Sequence, residues 1–206
     1  MEIQILNWLQ SLHTPILDKI MQLITHLGDM GIIWIILTIV MLLIPKTRKS
    51  GVIMAAALIV DVILCNVILK NLIARVRPYD VNTAVQVLVA KPKDFSFPSG
   101  HTAASFASVT ALYLAGEKKL WKPALALAIL IAFSRMYLYV HYPTDILGGV
   151  IFGSLSAWIG YQCSKKMFNI FKSNVRETWR VILVSEADLF LSESLRILAE
   201  RFPADS

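Results

Sequence analysis

The sequence predicts an all-α fold, a polytopic membrane helix bundle of about six transmembrane helices. Composition is the first sign: the 206 residues are 56% hydrophobic and 17% charged, with a mean hydropathy of +0.63, too apolar for an ordinary soluble domain. Second, the apolar residues come in long blocks close to the length a helix needs to cross a bilayer. Third, Lys and Arg gather at the ends of those blocks, as expected for cytoplasmic loops. The net charge of +6 therefore reads as membrane topology, and nucleic acid is excluded as a partner.

Residues 3–12 read as an interfacial amphipathic helix. Residues 15–27 carry Ile16, Leu17, Ile20, Leu23, Ile24 and Leu27 on one helical stripe, and are the least span-like of the six blocks. Residues 28–44 are almost wholly apolar, and residues 51–69 form a clearer span. Blocks at 102–115, 123–140 and 146–163 complete the set. The N-terminus has neither a basic leader nor a small-residue cleavage pattern, so no removable signal peptide is expected. With no internal repeat, residues 1–176 are expected to form a single membrane domain. Residues 177–206 are expected to be a cytoplasmic tail of unassigned role, with a short amphipathic helix near 186–200.

Lys46, Arg48 and Lys49, then Lys118, Lys119 and Lys122, then Lys165, Lys166, Lys172 and Arg176 mark the cytoplasmic side. Alternation through the spans puts the loop from Lys70 to Pro98, and the turn at His141, on the extracytoplasmic face. That loop is itself basic, which fits the topology if some of its charges are functional. Cys65 and Cys163 lie in apolar blocks and read as packing residues without a disulfide or metal framework. Gly149 and Gly153 form a small-xxx-small pair suited to close helix packing. Asp61, mid-span with Cys65 and Asn66 nearby, is either functional or a buried hydrogen-bonding residue. His13 and His26 have no carboxylate at useful spacing and read as interfacial.

Three polar clusters carry chemistry. Phe97-Pro98-Ser99-Gly100-His101 joins a polar loop to an apolar helix. Ser99 there suits an N-cap, and the free N–H groups of Gly100 and His101 favour an anion. Lys70 and Arg77-Pro78 place two cations where the chain leaves the membrane. Arg135, near the end of a span, is a site candidate because an intramembrane guanidinium is costly. In the stretch from Ser134 to Asp145, Pro143 suits a first helical turn, so His141 and Asp145 bracket a tight turn. A carboxylate holding one imidazole nitrogen leaves the other as a nucleophile.

Lys70 with six residues before Arg77-Pro78, then Pro98-Ser99-Gly100-His101, then Ser134-Arg135 with five residues before His141 and three more before Asp145, resembles the three-part signature of the type 2 phosphatidic acid phosphatase superfamily. Order, residue type and spacing all match. The resemblance implies a metal-independent lipid phosphatase of the cell membrane, multi-pass and at home in a bacterial plasma membrane, needing no cofactor and no obligate protein partner. By this resemblance Lys70, Arg77, Arg135, Ser99 and Gly100 bind the phosphate. His141 is the nucleophile that forms a phosphohistidine, Asp145 steadies it, and His101 protonates the leaving lipid oxygen and then activates water. Members act on undecaprenyl diphosphate, phosphatidylglycerol phosphate or phosphatidic acid, and the sequence does not choose among them. Arg75, Lys91 and Lys93 read as solvated loop charges, with extra binding of a diphosphate as the alternative. A lipid phosphotransferase using the same phosphohistidine stays open. A binding or scaffold role is disfavoured by the intact His101, His141 and Asp145.

Overall fold

The apolar blocks become helices whose ends are set by local capping chemistry. The computed structural model describes residues 1–201, with side chains through residue 175. Helix α1 (Glu2–Gln10) leads into α2 (Pro15–Leu27). The latter is begun by Pro15 at its first position and by Thr14, whose Oγ1 accepts from the Leu17 N–H at 3.3 Å. A 3₁₀ turn at Asp29–Gly31, with Gly31 left-handed at φ 68°, redirects the chain into α3 (Ile32–Leu43). Helix α4 (Arg48–Asp61) continues as a π-helical segment (Val62–Leu69) into the single turn of α5 (Lys70–Ile73). The one-turn α6 (Pro78–Val81) and a long loop precede α7 (Gly100–Leu114), α8 (Trp121–Tyr137) and α9 (Pro143–Arg201). No strand occurs among the described residues.

Helix α7 is the hub, packed by α4 and α8 and tied to α3 by a 3.0 Å hydrogen bond from Trp34 Nε1 to Ser105 Oγ. Helix α9 closes against it through small residues. A Cβ at Gly153 would lie 2.3 Å from the Ala103 carbonyl oxygen, one at Gly149 would lie 2.9 Å from that of Ser99, and one at Gly160 would meet the Ala57 nitrogen of α4 at 2.6 Å. The Gly149/Gly153 pair thus packs as expected. Large apolar side chains such as Ile36, Ile59, Leu72, Ile151 and Trp158 point outward, the pattern of a bundle whose solvent is lipid.

Two helical stretches, Arg48–Val81 and Pro143–Val175, are long and apolar enough to cross a membrane. A third is gained if α2 and the stretch Asp29–Leu43, bent by 41°, are one broken span. The expectation of six separate spans is therefore not reproduced by length and composition. At 15 and 17 residues, α7 and α8 fall short of the ~20 needed to cross unaided. Helix α2 is held at the loop end of the bundle, where Asp18 accepts from Tyr137 Oη at 2.6 Å and Gln22 donates to the Leu88 carbonyl at 3.1 Å. Helix α1, expected to be interfacial, buries Leu6 and Leu9 against Tyr137, Leu138 and Tyr139.

The described chain forms two compact units, Met1–Ser164 and Lys165–Ser206. Helix continues through Arg201, so the backbone at 186–200 is helical. The expected amphipathic character of that stretch lies outside the described side chains, and residues 202–206 lie outside the described residues altogether.

Candidate active site

The expected site residues converge at one end of the first unit. Lys70, in the last turn of the π-bearing helix, and Arg77, just before α6, are 7% and 3% exposed. A carboxylate absent from the sequence expectations joins them. Asp94 pairs with Lys70 through Oδ2 and with Arg77 Nη2 through Oδ1, the latter at 2.6 Å. Burial alone would raise the Asp94 carboxyl, but the ion pairs with Lys70 and Arg77 outweigh it and bring it down to about 2. An anion already sits between the two cations.

Ser99 caps α7, its Oγ accepting from the Thr102 N–H at 3.4 Å and from Thr102 Oγ1 at 3.0 Å. Its own N–H donates to the Asp145 carbonyl at 3.1 Å, tying the start of this helix to the start of α9. Gly100 and His101 open the helix, where backbone N–H groups have no intrahelical acceptor. A Cβ at Gly100 would stand 2.9 Å from Asn66 Oδ1, so a side chain here would push against Asn66, while Lys70 Nζ lies at ordinary contact distance, 3.6 Å. His101 Nε2 donates to Asp29 Oδ1 at 2.9 Å. The turn after α2 thus supplies a second His–Asp pair that the sequence did not announce.

Arg135 is 3% exposed near the end of α8 and donates through Nη1 to Thr25 of α2. His141 and Asp145 lie either side of Pro143, which starts α9. The His141 Nδ1 is 3.5 Å from Asp145 Oδ2, long for a hydrogen bond, so the carboxylate faces this ring nitrogen without closing on it. On the other side, Arg77 Nη1 donates toward His141 Nε2 at 3.3 Å and to the Val140 carbonyl at 2.8 Å. These neighbours assign the proton to Nδ1 and the lone pair to Nε2. Burial holds the imidazole neutral, pushing it down to about 3. The adjacent Asp145 carboxylate opposes this, and Arg77 and Arg135 add to it.

Asp145 is fully buried and heavily supported. Arg75 Nη1 donates to Oδ1 at 2.7 Å, while Ser96 Oγ and the Tyr142 N–H, at 2.9 Å, donate to Oδ2. Arg75 also pairs with Glu2 of α1 at 2.5 Å and lies 3.9 Å over the Tyr142 ring. The expectation of a solvated Arg75 is corrected: the carboxylates of Glu2 and Asp145, remote in sequence, converge on it. Lys91 lies 5.3 Å over the Tyr79 ring. The histidines read as partnerless are also corrected. His13 Nδ1 meets Asp18 at 3.1 Å and stacks on Tyr137, and His26 Nδ1 meets Asp29 at 2.7 Å, because the turn before α2 brings His13 back to the helix and the turn after it does the same for Asp29. Cys65 is buried as expected, but Cys163 is exposed. Among the described residues no three His, Cys, Asp or Glu side chains gather as a metal-binding group.

Residues 50–168 match the PAP2 superfamily. The chain belongs to that superfamily. This PAP2 protein is 32% identical over 129 residues to an undecaprenyl-diphosphatase of Sulfolobus acidocaldarius, a match covering 63% of the chain and 61% of that relative. The matched stretch therefore spans about three fifths of that relative. It is 35% identical over 153 residues to phosphatidylglycerophosphatase B of Bacillus subtilis, covering 68% of the chain and 72% of the relative. In three dimensions it resembles the crystal structure of a transmembrane PAP2-type phosphatidylglycerolphosphate phosphatase from Bacillus subtilis. The TM-score is 0.64 at 31% identity, with 80% of this chain and 85% of the other covered. The expected superfamily and the expected phosphatase class agree with these relatives.

Proposed function

We propose that this PAP2 protein is a multi-pass membrane lipid phosphatase that hydrolyses a lipid phosphate or diphosphate through a phosphohistidine on the extracytoplasmic face. One observation carries the chemistry: a buried, neutral His141 with Nδ1 toward Asp145 and Nε2 toward Arg77, beside the Lys70–Asp94–Arg77 cluster. The phosphate displaces Asp94 and is held by Lys70, Arg77, Arg135 and the Gly100 N–H. The Nε2 lone pair attacks phosphorus, the bond to the lipid oxygen breaks, and His101 gives that oxygen its proton. Water, deprotonated by His101, then displaces Nε2 and frees inorganic phosphate. Asp145 stabilises the positive charge that grows on His141, and Asp29 does so for His101. In this scheme the cations and helix-end N–H groups meet the charge demand without a metal.

A cavity of about 310 Å³ lined by Lys70, Gly100 and His101 shares Ile35, Leu58 and Val62 with an apolar groove of about 380 Å³ along α3 and α4. Such a path suits a phosphate ester whose apolar chain stays in the bilayer. The substrates carried by the relatives' names, undecaprenyl diphosphate and phosphatidylglycerol phosphate, are candidates, as is phosphatidic acid. For topology, Ser50 Oγ donates to Glu117 Oε1 at 2.6 Å. That bond joins the two basic connections, before α4 and after α7, at one end, and supports a cytoplasmic assignment for both. We take residues 1–176 as the phosphatase domain and 177–206 as a cytoplasmic tail of unassigned role. The short α7 and α8 are read as crossing inside the bundle, with the bent α2–α3 pair as one further crossing.

The test is phosphate release by the purified full chain in detergent from these three lipids, beside His141→Ala. Release from at least one lipid, absent in the variant, together with acid-labile phosphate on the protein, is the expected result. Release that survives in His141→Ala would sink the phosphohistidine. Phosphate recovered only on an added lipid alcohol would identify a phosphotransferase.

A further inference from the structure

Asp61 is 1% exposed, and neither carboxyl oxygen has a hydrogen-bond partner of normal geometry; the Cys65 thiol, a weak donor one turn on, is its nearest polar neighbour. A buried polar group left this way is costly, so its retention points to a partner from outside the chain. The side chain lines the same cavity as Lys70, Gly100 and His101. Helix geometry sets it there. The i→i+5 repeat of the π-helical segment Val62–Leu69 stacks Asn66 above Asp61, and the next turn stacks Lys70 above Asn66. Asn66 and Lys70 both stand beside Gly100, their Oδ1 and Nζ 2.9 Å and 3.6 Å from where a Cβ there would lie. Asp61 therefore stands about one helical turn, roughly 5 Å, further from the helix end than Asn66.

We propose that Asp61 and Asn66 form a subsite for the leaving group of the substrate, binding a free hydroxyl carried a few bonds from the scissile phosphate. The inference rests on the lipid-phosphatase reading and narrows it to a phosphate monoester of a glycerol-type, hydroxyl-bearing headgroup. The hydroxyl donates to the Asp61 carboxylate and meets the Asn66 amide, while His101 faces the ester oxygen between them and the phosphorus. A site built to bond a hydroxyl discriminates strongly against an analogue without one, because its buried polar groups are then left unpaired. Phosphatidic acid, whose remaining glycerol oxygens are esterified, lacks this hydroxyl. Undecaprenyl diphosphate likewise has no free hydroxyl in its leaving group.

The experiment compares kcat/KM of the purified full chain for phosphatidylglycerol phosphate and phosphatidic acid in one detergent. Wild type is set beside Asp61→Asn and Asp61→Leu, with thermal unfolding to check the fold. Wild type is expected to prefer phosphatidylglycerol phosphate, and both variants to lose that preference by about tenfold or more. Equal change for the two lipids, an unmoved ratio, or a wild type without the preference overturns the subsite while leaving a lipid phosphatase standing. A wild type that releases phosphate from neither lipid, nor from undecaprenyl diphosphate, overturns the lipid-phosphatase reading and the subsite with it.

Discussion

Arg75 and Arg77 stand two residues apart and face different partners: Arg77 meets His141 Nε2 and Asp94, whereas Arg75 holds Asp145 and Glu2. Sequence spacing pointed to Arg77 but not Arg75, because what distinguishes them is which carboxylates arrive from α9 and α1. Arg75 is therefore expected to act as a positioning residue. Arg75→Ala should lower kcat about tenfold to a hundredfold, the range for losing a hydrogen bond to a buried charge. Arg75→Lys should restore only part of it, since an ammonium cannot reproduce the forked contact to two carboxylates. Steady-state kinetics with an aryl phosphate checks this, and wild-type kcat in Arg75→Ala would show that Asp145 needs no such anchor. Asp94 and Asp29 were missed for the same reason. Each is an ordinary loop acid in sequence, and only folding brings one to Lys70 and the other to His101.

At the scale of elements, the α7–α9 contact sets the geometry of the proposed site. The N-terminal turn of α7 carries Ser99 to His101, that of α9 carries Asp145, and the Ser99 N–H to Asp145 carbonyl bond ties the two starts together. Close approach is possible because Gly149 and Gly153 present backbone to backbone. A Cβ at Gly153, 2.3 Å from the Ala103 carbonyl, forces the helices apart. Gly153→Leu should cost about 1–3 kcal/mol or more and lower activity, because Asp145 moves with α9. Thermal unfolding in detergent together with kcat tests this; an unchanged melting temperature would mean that α9 is free to shift. The glycine spacing was legible in sequence, whereas the partner helix was not. The π-helical segment had no sequence signature either, and it is what aligns Asp61, Asn66 and Lys70 on one face.

For the whole molecule, the buried ionisable groups predict acid sensitivity. His141 is held neutral down to about pH 3, below its ordinary 6.5, so below 6.5 the unfolded chain takes up a proton that the folded chain refuses. Stability then falls as pH drops through that window. Asp94, lowered from 3.8 to about 2, contributes stability that is present above 3.8 and lost as pH falls through 2, in the same direction. Melting temperature in detergent should thus decline with acidification from near neutrality, and His141→Gln should flatten the upper part of that decline. A melting temperature independent of pH across that window would contradict a buried neutral imidazole. The sequence by itself determined an all-α membrane protein, its superfamily, and seven polar residues whose types and spacing carry the signature, because hydropathy and motif spacing are properties of the linear chain. Tertiary structure alone decided the 41° bend between α2 and the stretch Asp29–Leu43 and the docking of α1 on the bundle. It also decided which carboxylate each cation and histidine meets. Those outcomes depend on contacts between residues tens of positions apart, whose geometry exists only once the helices have packed.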